Sequence, residues 1–132
     1  MNKRVADRKI RDTFFTGIKG ANVIEETIKQ IEARIQSADS LTPERRKELA
    51  ELLTTLKAET SELAKTHGEQ AQSIVGFAQV TTHEATRAEQ DPRLLDLSLE
   101  ALRSSVQDFE KSHPRLAQIV NTISTTLSNS GI

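Results

Sequence analysis

Residues 42–88 read TPERRKELAELLTTLKAETSELAKTHGEQAQSIVGFAQVTTHEATRA, and the reading of this stretch decides the fold. It opens on Thr42-Pro43-Glu44, and no further proline occurs before Pro92. A threonine N-cap, a proline at the first helical position and a glutamate at the positive end of the helix dipole make a strong helix start. The stretch therefore predicts one long helix over residues 43–89, with a bend near Gly68 as the alternative. A continuous helix of that length would run about 69 Å at 1.5 Å per residue. That far exceeds the roughly 14 Å radius of gyration of a compact chain this size, so the rod would protrude. A sharp bend at Gly68 would instead allow a compact monomeric bundle.

The two halves of the stretch differ. Leu49, Leu53, Leu56 and Leu63 line one face of the first half, with Thr60 in the missing step and Leu52 broadening it. In the second half Ala64, Ala71, Ala78 and Ala85 recur every seven residues, interleaved with His67, Ile74, Thr81 and Ala88. Small residues at one heptad position let two helix backbones approach closely. Gly68 and Gly76 each cost about 1 kcal/mol relative to alanine and could serve the same approach. So thin a seam needs a cover, and the expectation is a homo-oligomer, a two-fold dimer forming a local four-helix bundle. Its interface would hold Ala64, His67, Ala71, Ile74, Ala78, Thr81 and Ala85.

Upstream, Ala21, Ile24, Ile28, Ile31, Ile35 and Ala38 step by three and four, a coiled-coil seam on a helix over 21–38. The short polar turn before Thr42 makes the first two helices an antiparallel hairpin. Downstream, Asp91-Pro92 repeats the cap-plus-proline device. Leu95, Leu99, Leu102, Val106 and Phe109 then form a stripe over 92–112, widened by Leu94, Leu97 and Ala101. Pro114 opens a last helix over 114–129, carrying Leu116, Ile119, Val120, Ile123 and Leu127, with Gly131 as a C-cap and Ile132 beside it. The fold class expected is all-α: elongated antiparallel hairpins in a bundle around one long central helix with coiled-coil-like packing. Residues 21–132 would form a single helical domain behind a basic arm, residues 1–20.

That arm carries Lys3, Arg4, Arg8, Lys9, Arg11 and Lys19 against Asp7 and Asp12, a local charge of +4 in a chain whose net charge is −1. Ile10, Phe14 and Ile18 repeat every four residues. The six basic residues are candidate contacts to an anionic partner, a lipid surface or a nucleic acid; the plainer reading is a solvated leader. The arm lacks the apolar core of a secretory signal, and no run approaches the ~20 residues that span a bilayer. Cytoplasm is the default expectation.

Chemistry is sparse. With no cysteine, thiol catalysis, disulfides and Cys-ligated metals are excluded. Glu110-Lys-Ser-His113 has the Glu-x-x-His spacing of helical di-iron sites, but those need two such motifs plus two more inward glutamates. His113 reads better as a junction residue before Pro114. His67 reads as a buried polar layer that sets register on the seam, or more sharply as a pH-sensitive group in the interface. No nucleophile-elbow signature supports a Ser/His/Asp triad. No catalytic, cofactor or metal residue is expected.

Two blocks carry a family likeness. Ile28-Lys-Gln-Ile-Glu-Ala-Arg-Ile-Gln-Ser-Ala-Asp-Ser-Leu-Thr42, followed by Leu49-Ala-Glu-Leu-Leu53, is one. Val106-Gln-Asp-Phe-Glu-Lys-Ser-His-Pro-Arg-Leu116, with the terminus Leu127-Ser-Asn-Ser-Gly-Ile132, is the other. The chain resembles the small bacterial Domain of Unknown Function 4404 family over residues 24–58 and 95–132, with residues 64–90 looking like an insertion or elongation. The resemblance implies a small, soluble, all-helical bacterial protein and supplies no activity. The function expected is a non-enzymatic scaffold or adaptor that self-associates through the second half of the long helix and meets an unknown protein partner. The alternative is peripheral binding of anionic lipid or nucleic acid through the arm.

Overall fold

The computed structural model of the chain describes residues 23–130, and the side chains of 23–129. The basic arm, with its six candidate contacts, and the terminal cap at Gly131-Ile132 lie outside the described residues. Among the described residues five helices follow one another: α1 over residues 23–37, α2 Pro43–Leu63, α3 Gly68–Ala85, α4 Pro92–Ser104 and α5 Pro114–Ser130. A single 3-10 turn, Gln107–Phe109, joins the last two.

The caps form where their residues predict. The Thr42 hydroxyl accepts from the Arg45 N–H at 3.2 Å, and Pro43 takes the first helical position. The Asp91 carboxylate accepts from the N–H groups of Arg93 at 3.0 Å and Leu94 at 3.3 Å. Asp91→Ala should therefore lose about 1 kcal/mol of stability, the usual cost of deleting a cap, read as a lower urea midpoint at unchanged slope.

The continuous helix over 43–89 is not formed. α2 ends at Leu63, and its last carbonyls are closed by tight bonds: Lys65 N–H to Glu62 O at 3.2 Å, Thr66 N–H to Leu63 O at 3.1 Å and His67 N–H to Leu63 O at 2.8 Å. His67, at φ −136° and ψ 64°, leaves the helical region, and α3 starts at the next residue. Likewise α4 stops at Ser104, short of the expected 112, because the chain tightens into the 3-10 turn.

Cross-helix contacts give the directions. α1 runs antiparallel to α2, with Lys57 Nζ 3.5 Å from Glu25 Oε1 at one end. At the other, Arg46 Nη2 donates to Ala38 O at 2.7 Å. α1 runs parallel to α3, since Gln79 Nε2 donates to Gln30 Oε1 at 2.6 Å and Arg34 Nε to Thr86 Oγ1 at 2.8 Å. The turn at 64–67 thus reverses the chain. α5 returns antiparallel to α2, with Arg115 facing Glu59 at 3.8 Å and Thr126 donating to Glu48 at 3.3 Å. The outcome is an up-down bundle in which α3 packs on α4 and α2 on α5, while α4 and α5 close the ring.

The core is aliphatic. Ile24, Ile28, Ile31 and Ile35 of α1 are buried, as their spacing predicts, against Leu49, Leu53, Leu56 and Leu63 of α2. Leu116, Val120, Ile123 and Leu127 of α5 complete it. Three of the buried hydroxyls are satisfied inside their own helices: Thr60 donates to Leu56 O at 2.7 Å, Thr82 to Ala78 O at 2.8 Å and Ser124 to Val120 O at 2.9 Å. Back-bonding of this kind removes the desolvation cost of a buried hydroxyl. It also leaves these groups aimed at backbone rather than at a cavity.

Neither glycine among the described residues serves a close approach. A Cβ built on Gly68 or Gly76 meets nothing within 4 Å, and neither has positive φ. Gly76→Ala should then stabilise the chain by about 0.5–1 kcal/mol, the entropic cost of glycine inside a helix. A raised urea midpoint would show it; a fall would mean that the position is more crowded than this.

Candidate functional site

The heptad of small residues faces inward. Ala71, Ile74, Thr81 and Ala85 are fully buried and Ala78 is 1% exposed, all within the single chain. Ala64 is half-buried at the end of α2, and His67 is exposed in the turn. The backbones do approach closely at this seam, but the helices that approach are the chain's own α4, α5 and α2. Of the expected interface through Ala64, His67, Ala71, Ile74, Ala78, Thr81 and Ala85, five residues are thus already buried within one chain. Once the chain reverses at 64–67, the face that a rod would have left bare lies inside the bundle.

His67 is not a buried polar layer either. Its ring stands edge-on to Phe109, centroids 5.3 Å apart, and His113 meets the same ring from another side at 5.8 Å. Each imidazole has a hydroxyl neighbour on Nδ1: Thr66 Oγ1 at 2.8 Å for His67 and Ser112 Oγ at 3.0 Å for His113. His113 also caps α5, its carbonyl accepting from Ala117 N–H at 3.2 Å, as expected of a junction residue. Among the described residues no group of three His, Cys, Asp or Glu side chains could hold a metal ion. None of the helices among them is long and apolar enough to cross a membrane.

What the fold leaves outside is an apolar face on the α3–α4 hairpin. Thr81 Oγ1 donates to Ser98 O at 3.0 Å, so these two residues mark where the antiparallel helices touch. One step before each lie Val80 and Leu97, and on a right-handed antiparallel pair those positions project to the same side. Phe77 and Leu94 fall on that side too, three residues earlier on each helix. The four are 39% (Phe77), 50% (Val80), 42% (Leu94) and 52% (Leu97) exposed. On the other side of the contact line Ala78, Ala85, Leu95, Leu99 and Leu102 enter the core.

The face continues at its Phe77 end into an open groove of about 780 Å³, between the start of α3 and the α4–α5 junction, lined by His67, Ser73, Ser104, Phe109 and His113 among others. At its other end Glu84 is paired to Arg87 at 2.9 Å. That hydrogen bond, with the charge behind it, raises the Arg87 pKa above its ordinary value. Residues 68–108 carry seven acidic side chains against three arginines, a net charge of −4. The apolar face thus sits on a net acidic hairpin.

Two of these residues carried a signal in the sequence. Leucines at 94, 95, 97, 99 and 102 cover more of α4 than one buried stripe can hold, so some had to remain outside. Phe77 and Val80 lie off the alanine heptad and gave no comparable warning.

A family model described as Domain of unknown function (DUF4404) matches residues 49–132. The matched range spans residues 64–90, and both helices of the exposed face fall within it. Residues 24–48 lie outside the match. No curated protein and no solved structure matches the chain. A match over well above half of its length places the chain in the DUF4404 family.

Proposed function

We propose that the chain is a non-enzymatic helical adaptor whose α3–α4 face docks a basic amphipathic helix of a protein partner. The observation that carries this reading is the cluster of Phe77, Val80, Leu94 and Leu97 on one side of a hairpin of net charge −4. Four half-exposed side chains of this size leave roughly 300 Å² of apolar surface in one place, at the lower end of the patches that often serve function on monomers. An obligate dimer core needs far more, about 800 Å² from each partner even at standard size. A single helix laid across the face is the occupant of matching size, read through residues at i, i+3, i+4 and i+7. The surrounding acids select a basic one and speed its encounter.

The reading is tested with a photo-crosslinking residue in place of Leu97 in the producing cells, the joined segments being read by mass spectrometry. Basic amphipathic segments of another protein should be captured at Leu97 and not at Glu51, an exposed position on α2. Capture of acidic segments, or equal capture at Glu51, would overturn it. Leu97→Asp should abolish binding while shifting stability by no more than about 0.5 kcal/mol, as for most surface substitutions.

A further inference from the structure

We infer that the groove at the Phe77 end of the α3–α4 face is a pocket for one arginine of the docked helix, set about two turns beyond the side chains that cover Val80 and Leu97. The inference rests on the docking reading above and adds where the partner's cation sits. The lining of the groove, the pairing of its acids and its register with the face all lead there.

Phe109, 8% exposed and held edge-on by the imidazoles of His67 and His113, forms the apolar floor, and Phe77 stands where the groove meets the face. Glu69 and Asp108 line the groove as well, and among the described residues no lysine or arginine does. The groove beside α5 holds Arg45 among its acids, and the one at the end of α1 holds Arg34 and Arg87. Among the described residues neither the Glu69 nor the Asp108 carboxylate has an ion-pair or hydrogen-bond partner. Acids are as dense on α1 and α2, but there Glu25 meets Lys57, Glu48 meets Arg45, Glu59 meets Arg115 and Glu62 meets Lys65. The first turns of α3 and α5 bring about half a positive charge each to this end of the bundle. Two carboxylates carry more.

The groove is in register with the face. On α3, Val80, Phe77, Ser73 and Gln70 step back by three, four and three, one row on the helix surface. On α4, Leu94, Leu97, Ala101 and Ser104 step forward in the same way. The first two of each row form the apolar face, and Ser73, Gln70 and Ser104 line the groove. A helix lying along the face therefore continues over the groove, about 10 Å or two turns further on. A guanidinium at that point meets two carboxylates for its planar donors and an aromatic face beside its stem. Lysine, a compact charge without that plane, matches the site less well.

The test titrates the full chain, labelled with nitrogen-15, with two synthetic helical peptides. The first carries leucines on one face and an arginine two turns beyond them on each side, so that either orientation brings one to the groove. The second has citrulline, uncharged and of the same shape, at both positions. The arginine peptide should bind about tenfold tighter, the worth of one cation–π contact together with one exposed ion pair. It alone should shift the amides of Gln70, Ser105 and His113. Glu69→Gln with Asp108→Asn should cut the preference to about threefold, what the ring contact supplies by itself. Glu26→Gln with Glu51→Gln, two exposed acids of α1 and α2, should leave it unchanged. Equal binding of the two peptides at the Leu97 and Ala101 amides would overturn the pocket and leave the docking face standing. A preference lost as fully in the Glu26 and Glu51 variant would overturn it too, since the charge would then act from anywhere on the surface. If neither peptide shifts Leu97 or Ala101, the face fails and the pocket with it.

Discussion

Replacing Ala78 by arginine should unfold the chain, with a midpoint that does not depend on protein concentration. Ala78 is 1% exposed and lies between Ile74 and Ala85 on the inner face of α3, both fully buried. An arginine there forces apart helices that approach closely because the position is small, an overpacking cost of about 1–3 kcal/mol. Its guanidinium finds no carboxylate on that face, and an uncompensated buried charge costs about 3–5 kcal/mol more. The sum competes with the whole stability of a domain this size, about 5–15 kcal/mol. Were the seam an interface between copies, the same variant would stay folded and dissociate. Far-UV circular dichroism and light scattering coupled to size exclusion, each at two concentrations, separate the outcomes: loss of helix signal supports the inward seam, and a helical species of halved mass refutes it.

The alanine heptad shows what the sequence could and could not convey. That Ala64, Ala71, Ala78 and Ala85 mark a close helix–helix approach was legible, because only side-chain size sets how near two backbones come. Which helix does the approaching was not, because it depends on whether the chain turns at 64–67. Ala64-Lys65-Thr66-His67 holds no proline and no positive-φ glycine. Each of its residues tolerates a helix, so local propensity favours continuing. The reversal is tertiary in origin. It lets the α3 face with Ala71, Ile74 and Ala78 cover the leucines of α2 and receive α4, burial that a protruding rod would forgo. Where caps are local, as at Thr42 and Asp91, the sequence named them to the residue.

The exposed apolar face of α3 and α4 was half legible for a related reason. Which leucines of α4 enter the core depends on the rotation of that helix against α3, and the line of contact, marked by Thr81 Oγ1 on the Ser98 carbonyl, is a tertiary feature that hydrophobic periodicity does not see. Leu94 and Leu97 were therefore grouped with Leu95, Leu99 and Leu102 although the bundle separates them.

That separation makes the last prediction. Leu102→Ala should cost about 2–5 kcal/mol, the range for deleting a buried leucine side chain and leaving a cavity, whereas Leu97→Ala should fall within about 0.5 kcal/mol of the parent. Leu102 is fully buried and Leu97 is 52% exposed, five residues apart on the same helix. Only Leu95, Ser98 and Leu99 otherwise bury α4, so Leu102 is its deepest anchor, and its loss should loosen α4 from both α3 and α5. Urea melts of the two variants give the contrast directly, and hydrogen exchange should show the amides of α4 opening first in Leu102→Ala. Equal losses would mean that α4 is rotated by about half a turn from the orientation described. Leu94 and Leu97 would then enter the core, and the hairpin would have no apolar face to offer a partner. The same pair of melts thus measures the fold and the surface on which the functional proposal stands.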